Sequence, residues 1–182
     1  MTALLFILNL VGTLLVGIFI MRFLLQLVRA DFYNPVSQAI VNLTNPLVMP
    51  LRKVIPGLKG LDLASLVAAA IVQVIVLLAL YFIQTGRLPG VQYTLVESFF
   101  SLLNLVFRIY IMTIFLRVIL SWVNPDPRNP IVSMLYSLTE PVLAPARRMI
   151  PSIGGLDLSP LVVLLLLQAL QILINSDIRG MF

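Results

Sequence analysis

Apolar residues along this chain fall into four long runs, at about 2–28, 61–84, 95–123 and 157–176. Each reaches the roughly 20 residues that a helix rising 1.5 Å per residue needs to cross about 30 Å of hydrocarbon. Polar positions inside the runs are too few to form a solvated face, so the pattern predicts helices that are apolar all round, as membrane spans are. The polar remainder is concentrated between the first and second runs and between the third and fourth. There the pattern changes to one-sided. Asn34 reads as an N-cap and Pro35 as a first helical residue, with Val36, Ala39, Ile40, Leu43 and Leu47 following at helical spacing. Asn129 and Pro130, then Ile131, Met134, Leu135, Leu138 and Val142, do the same in the second segment. Both predict short amphipathic helices lying in the membrane interface, stopped by Pro46 and Pro141.

These two segments are one segment written twice, 95 residues apart and without a gap. Between residues 22–67 and 117–162 there are 19 identities over 46 aligned positions. Arg22, Asn34-Pro35, Thr44, Pro46, Pro50, Arg52-Lys53, Ile55-Pro56 and Gly60-Leu61-Asp62-Leu63 recur as Arg117, Asn129-Pro130, Thr139, Pro141, Pro145, Arg147-Arg148, Ile150-Pro151 and Gly155-Leu156-Asp157-Leu158. A tandem duplication follows. The expected architecture is an all-α membrane protein with four transmembrane helices in two repeats, 1–88 and 89–182, each with an interfacial helix and a proline-rich basic elbow. Because each repeat holds two crossings, the repeats are parallel and relate through an axis along the membrane normal.

Composition agrees with the pattern: 60% of residues are hydrophobic and 10% charged, with a mean hydropathy of +1.09. The first run has no basic stretch before it and no small-residue cleavage pattern after it, so it is expected to remain as a helix. Cysteine is absent, which leaves no disulfide framework and no thiolate metal site. Of the twelve cations, nine lie in the two duplicated segments: Arg22, Arg29, Arg52, Lys53, Lys59, Arg117, Arg128, Arg147 and Arg148. By the positive-inside rule these segments are expected to be cytoplasmic and both termini outside. With no Arg-rich, Ser-rich transit segment at the start, a bacterial inner membrane is the expected location.

Candidate chemistry is sparse. Arg52, Lys53, Arg147 and Arg148, bracketed by prolines, read either as topology signals or as a site for anionic headgroups and a protein partner, each cation near an anionic leaflet contributing about 1 kcal/mol. Asp62 and Asp157 open the second and fourth spans as helix caps, and each is also placed to pair with Arg22 or Arg117. Gln73 and Gln168 share a repeat position at mid-span, where an amide acts as interhelical glue. Arg108 has no counterpart, since Thr13 occupies its repeat position, and it lies near the centre of the third span. A charge at that depth marks either an anion or water-filled site or a structural feature: a local kink, a protein-buried pairing, or a span boundary shifted so that the side chain snorkels. There is no histidine, no cysteine, no carboxylate pair on an apolar helix face and no phosphate-binding glycine loop. The site roles of an enzyme therefore cannot be filled, and neither cofactor, metal nor nucleic acid is expected.

The order Asn-Pro, Thr-x-Pro-x-x-x-Pro-x-basic-basic-x-Ile-Pro and Gly-Leu-Asp-Leu, present twice between apolar helices, resembles the YggT/YlmG family of bacterial and plastid membrane proteins. Asp31 to Pro35, Asp-Phe-Tyr-Asn-Pro, looks like its two-repeat bacterial form. The second copy departs at Pro127-Arg128 and at Glu140, which stands where the first has Asn45, so the two elbows are not expected to be equivalent. The resemblance implies links to osmotic-stress tolerance, ion uptake, division-gene neighbourhoods, plastid nucleoid distribution and assembly of the plastid cytochrome complex. It brings no catalytic residues. Two functions follow as expectations: a scaffold or assembly factor for membrane complexes that docks a partner and anionic lipid through the elbows, or a homo-oligomeric channel or transporter for an ion or small solute.

Overall fold

The computed structural model describes residues 2–57, 60–123, 126, 128–150 and 157–178. Lys59, Pro127, Pro151, Gly155 and Leu156, all used above, lie outside the described residues. The apolar runs become α1 (Thr2–Leu27), α3 (Leu63–Thr85), α4 (Val91–Val123) and α6 (Ser159–Leu173), the last continuing into a π-helical turn, Ile174–Ile178. All four are long and apolar enough to cross a membrane, and the protein is a multi-pass membrane protein. Two further helices, α2 (Pro35–Val54) and α5 (Pro130–Met149), occupy the duplicated polar segments, and among the described residues there is no strand.

Local chemistry explains the helix ends. At the end of α1, Arg29 adopts φ 54°, the left-handed conformation in which Ala30 N–H reaches Leu25 C=O at 2.9 Å and Arg29 N–H reaches Gln26 C=O at 3.1 Å. This is the hydrogen-bond pattern of a Schellman cap. Gly86 closes α3 with φ 70°, its N–H 2.8 Å from Phe82 C=O. The corners into α2 and α5 are built alike. Asp31 Oδ1 accepts Tyr33 N–H (2.9 Å) and Asn34 Oδ1 accepts Val36 N–H (2.8 Å), while Asp126 Oδ1 accepts Arg128 N–H (2.8 Å) and Asn129 Oδ1 accepts Ile131 N–H (2.9 Å).

Pro46 and Pro141 do not stop these helices as the sequence reading expected. Both α2 and α5 run on for two more turns, with Pro46 and Pro50 inside one and Pro141 and Pro145 inside the other. A proline in a helix leaves the carbonyl four residues back without its donor. Here the two prolines of each helix are four apart, so the carbonyls deprived of donors, those of Asn42 and Pro46 or of Ser137 and Pro141, share one face. Asn42, Pro46 and Pro50 are all exposed, as are Pro141 and Pro145, and that face is where solvent or headgroups can satisfy the free oxygens. The dibasic pairs consequently form the last helical turn, where cations favour the macrodipole, rather than an elbow held between prolines.

Packing divides the chain into two units, Met1–Phe23 with Ile40–Leu105, and Leu24–Ala39 with Val106–Phe182. Their boundaries fall inside α1, α2 and α4. In the second unit Ile114 of α4, Leu143 of α5 and Val163 of α6 form a buried cluster, flanked by Val142, Ala146, Leu164 and Leu167. The positions 95 residues earlier, Phe19, Val48 and Ala68, are likewise buried in the first unit. In that unit α1 and α3 approach closely at Gly12, where an added Cβ would lie 2.6 Å from Val76 Cγ1. Small residues permit such close helix approach in membranes. Gly12→Val is expected to lower stability in micelles by about 1–2 kcal/mol through overpacking, whereas Gly17→Val, at a position with nothing within 4 Å of an added Cβ, leaves it unchanged. Equal melting of the two variants would refute this account of the contact.

Candidate functional site

Two buried arginines organise the polar segments. Arg22 projects from the last turns of α1 and is only 5% exposed. A guanidinium so placed must have its donors satisfied. Its Nη1 donates to Thr44 Oγ1 (2.7 Å), Asn45 Oδ1 (3.0 Å) and Val41 C=O (3.2 Å), all on α2, and its Nε lies 3.4 Å from Asp62 Oδ2. Asp62 also receives Arg52 from the last turn of α2, with Nη2 to Oδ2 at 2.6 Å and Nε to Oδ1 at 3.3 Å. Finally it caps α3 by accepting the backbone N–H and the hydroxyl of Ser65. One sealed carboxylate thus holds two arginines and a helix start together, linking α1, α2 and α3.

The second unit repeats the parts with a different wiring. Arg117, 8% exposed, donates through Nη1 to Thr139 Oγ1 (2.8 Å) and through Nη2 to Glu140 Oε2 (2.6 Å), with the Tyr136 ring centroid 4.1 Å from its Cζ. Glu140 passes the link on to Arg147 Nη1 (2.9 Å), and Arg147 Nε donates to Asp157 Oδ2 (3.0 Å). Asp157 accepts Ser159 N–H at 2.9 Å at the start of α6. The pairing expected between Arg117 and Asp157 is therefore replaced by Arg117 with Glu140 and Asp157 with Arg147. The reason is the carboxylate at position 140, which offers Arg117 a partner on α5 where the first copy has the neutral Asn45. Exposure differs as well: the Asp62 side chain is 2% exposed and that of Asp157 41%.

Electrostatics follow the contacts. Burial opposes ionisation of Asp62, but the hydrogen bonds from Arg52 and Ser65 together with the Arg52 charge hold the carboxyl below its usual range. Glu140 is lowered chiefly by its hydrogen bond from Arg117. Asp157 is lowered by Ser159 and Arg147 against a desolvation penalty, and Arg147 is raised chiefly by Asp157. All three carboxylates are charged at neutral pH.

The cations of the two segments thereby separate by direction. Arg22, Arg52, Arg117 and Arg147 enter these networks. Arg29, Lys53, Arg128 and Arg148 are exposed and form no ion pair among the described residues. Each dibasic pair has one member turned to the carboxylates and one turned outward. The sequence treats all four alike, as topology signals or a headgroup and partner site, and by itself assigns no contact to Thr44, Thr139, Asn45, Tyr136 or Ser65. A signal for the threonines was present, since each follows its buried arginine by 22 positions in both copies.

Deeper in the spans, Gln73 is half-buried in the first unit and Gln168 is exposed in the second. Gln168 shares a groove of about 700 Å³ with Arg108, Ile111, Met112 and Phe115 of α4 and Gln171 and Ile172 of α6. Arg108 forms no ion pair among the described residues.

The CCB3/YggT family profile matches residues 1–83 and 96–177, two stretches whose starts are separated by the 95-residue spacing of the duplication. The chain belongs to the CCB3/YggT family. It is 40% identical over 181 residues to the uncharacterized protein PA0392 of Pseudomonas aeruginosa, covering 99% of this chain and 92% of that one. An uncharacterized protein from the proC 3' region of Vibrio alginolyticus is 39% identical over 183 residues, 99% of this chain and 97% of the relative. The uncharacterized protein YggT of Escherichia coli K12 is 35% identical over 171 residues, 94% and 88% respectively. None of these names assigns an activity. No solved structure gives a significant match.

Proposed function

We propose that this CCB3/YggT protein is a non-enzymatic scaffold or assembly factor of the bacterial inner membrane, and that it holds anionic lipid and a membrane-complex partner on its cytoplasmic face. The observation that carries this reading is the division of the cations. Arg22, Arg52, Arg117 and Arg147 brace the ends of α2 and α5 against the spans, which leaves Lys53 and Arg148 exposed on helix ends fixed in place. The carboxylates of the two networks engage only one cation of each dibasic pair. The second, outward cation is what an anionic surface or an acidic partner engages, with about 1 kcal/mol for each near an anionic leaflet. A link to osmotic-stress tolerance fits as a consequence of such a role.

Extraction of the full chain from its membrane in lipid-retaining nanodiscs, followed by mass spectrometry of bound lipid and protein, tests the proposal. Lys53→Glu with Arg148→Glu is expected to lose both the anionic-lipid enrichment and a stoichiometric partner, with solute flux in reconstituted vesicles unchanged. A lone homo-oligomer with lipid content identical to wild type would overturn it. Flux that the wild type supports and the Arg108→Leu variant loses would favour the conducting alternative instead.

A further inference from the structure

Arg108 presents a problem that the chain does not solve for itself. It stands nine residues before Arg117 on α4, which places it about 13–14 Å further along the helix. Arg117 lies among the polar groups where the span meets α5, so Arg108 sits close to the middle of a hydrocarbon core about 30 Å thick. On α6, Gln168 is nine residues past Ser159, at the same depth. From there an arginine cannot snorkel to the interface, yet it is exposed and without a carboxylate among the described residues.

A second copy of this chain cannot supply the missing charge. Within the four spans the sole Asp or Glu is Glu97, eleven residues from Arg108 along α4 and so about 16 Å away in depth. Copies inserted with the same orientation keep every residue at its own depth. A lipid is a poor fit too, because its headgroup belongs at the interface. The walls of the groove point to another occupant. Arg108, Ile111, Met112 and Phe115 form an i, i+3, i+4, i+7 stripe on α4, and Gln168 and Ile172 form a matching stripe on α6. Two such stripes make the groove into which the ridge of a third helix packs.

We infer that this groove receives a transmembrane helix of a different protein, one carrying an aspartate or glutamate at mid-membrane depth. The carboxylate meets Arg108, with the Gln168 amide beside it, and apolar residues one turn either side pack on Met112, Phe115 and Ile172. The outward cations Lys53 and Arg148 have no part in this contact.

The test uses the full chain in zwitterionic bilayers, labelled at one introduced cysteine, which the cysteine-free sequence allows. Fluorescence transfer is measured to labelled Leu/Ala transmembrane peptides bearing a single central Glu, a central Gln, no polar residue, or a Glu moved two turns from the centre. The central-Glu peptide is expected to bind about tenfold more tightly than the other three. Arg108→Gln erases that preference, Arg108→Lys retains it and Gln168→Leu reduces it, while Lys53→Glu with Arg148→Glu leaves it intact. Equal binding of all four peptides, or a preference that survives Arg108→Gln, would overturn the inference. So would native mass spectrometry that finds one anionic lipid bound to the wild type and absent from Arg108→Gln, since the groove would then be a lipid site.

Discussion

Asp62→Ala is expected to destabilise the protein by about 3–5 kcal/mol, the range found when one partner of a buried ion pair is removed and the other is left uncompensated. Two guanidiniums depend on this one carboxylate, Arg22 at 3.4 Å and Arg52 at 2.6 Å, and the α3 cap is lost with it. The repeat-equivalent change, Asp157→Ala, removes a carboxylate that is 41% exposed and bound to an arginine 42% exposed. A pair of that kind contributes about 0–1 kcal/mol. Denaturation in micelles, followed through the single tryptophan Trp122, compares the two. Equal losses would show that the sealing of the first network has no energetic consequence. The double replacement Arg22→Leu with Asp62→Leu sharpens the test, because exchanging a buried pair for apolar residues costs less than orphaning one member. It should therefore be milder than Asp62→Ala, even though it alters more atoms.

That contrast also shows what sequence could and could not reveal. The four spans were legible because an apolar run of that length has one physical solution in a bilayer, and the observed α1, α3, α4 and α6 begin and end within a few residues of the runs. The corners were legible because Asn-Pro combines a side-chain acceptor with a fixed φ. Helix continuation past Pro46 and Pro141 was not, since whether a proline ends or only bends a helix depends on the tertiary setting of the carbonyl it orphans and crowds, including which face is exposed. The direction of Arg52 and Arg147 was hidden by the same error. Once α2 is helical to Val54 the two members of a dibasic pair point about 100° apart, and only one can reach Asp62. Glu140 was visible as a departure between the copies, but its position between Arg117 and Arg147 needed the helix register.

Glu140→Ala is expected to have the second-largest effect, about 2–3 kcal/mol, below the buried-pair range because the Glu140 side chain is 44% exposed whereas that of Arg117 is 10% exposed. The change breaks the second network at its middle: Arg117 keeps Thr139 and the Tyr136 face, and Arg147 keeps Asp157. Acid provides an independent check. The carboxyls of Glu140, Asp157 and Asp62 are held below their usual range in the folded protein. A lowered folded-state pKa gives stability that is complete above the unfolded value, about 4.3 for Glu and 3.9 for Asp, and is lost as pH falls through the folded value. The wild type should accordingly be level in stability through neutral pH and decline below about pH 4. Glu140→Gln, which keeps the shape but cannot ionise, should begin lower at neutral pH and decline less steeply in acid, converging on the wild type as Glu140 of the latter becomes protonated. Parallel acid limbs would mean that Arg117 does not draw its stability from the Glu140 charge, and the bridge would then be a contact without electrostatic weight.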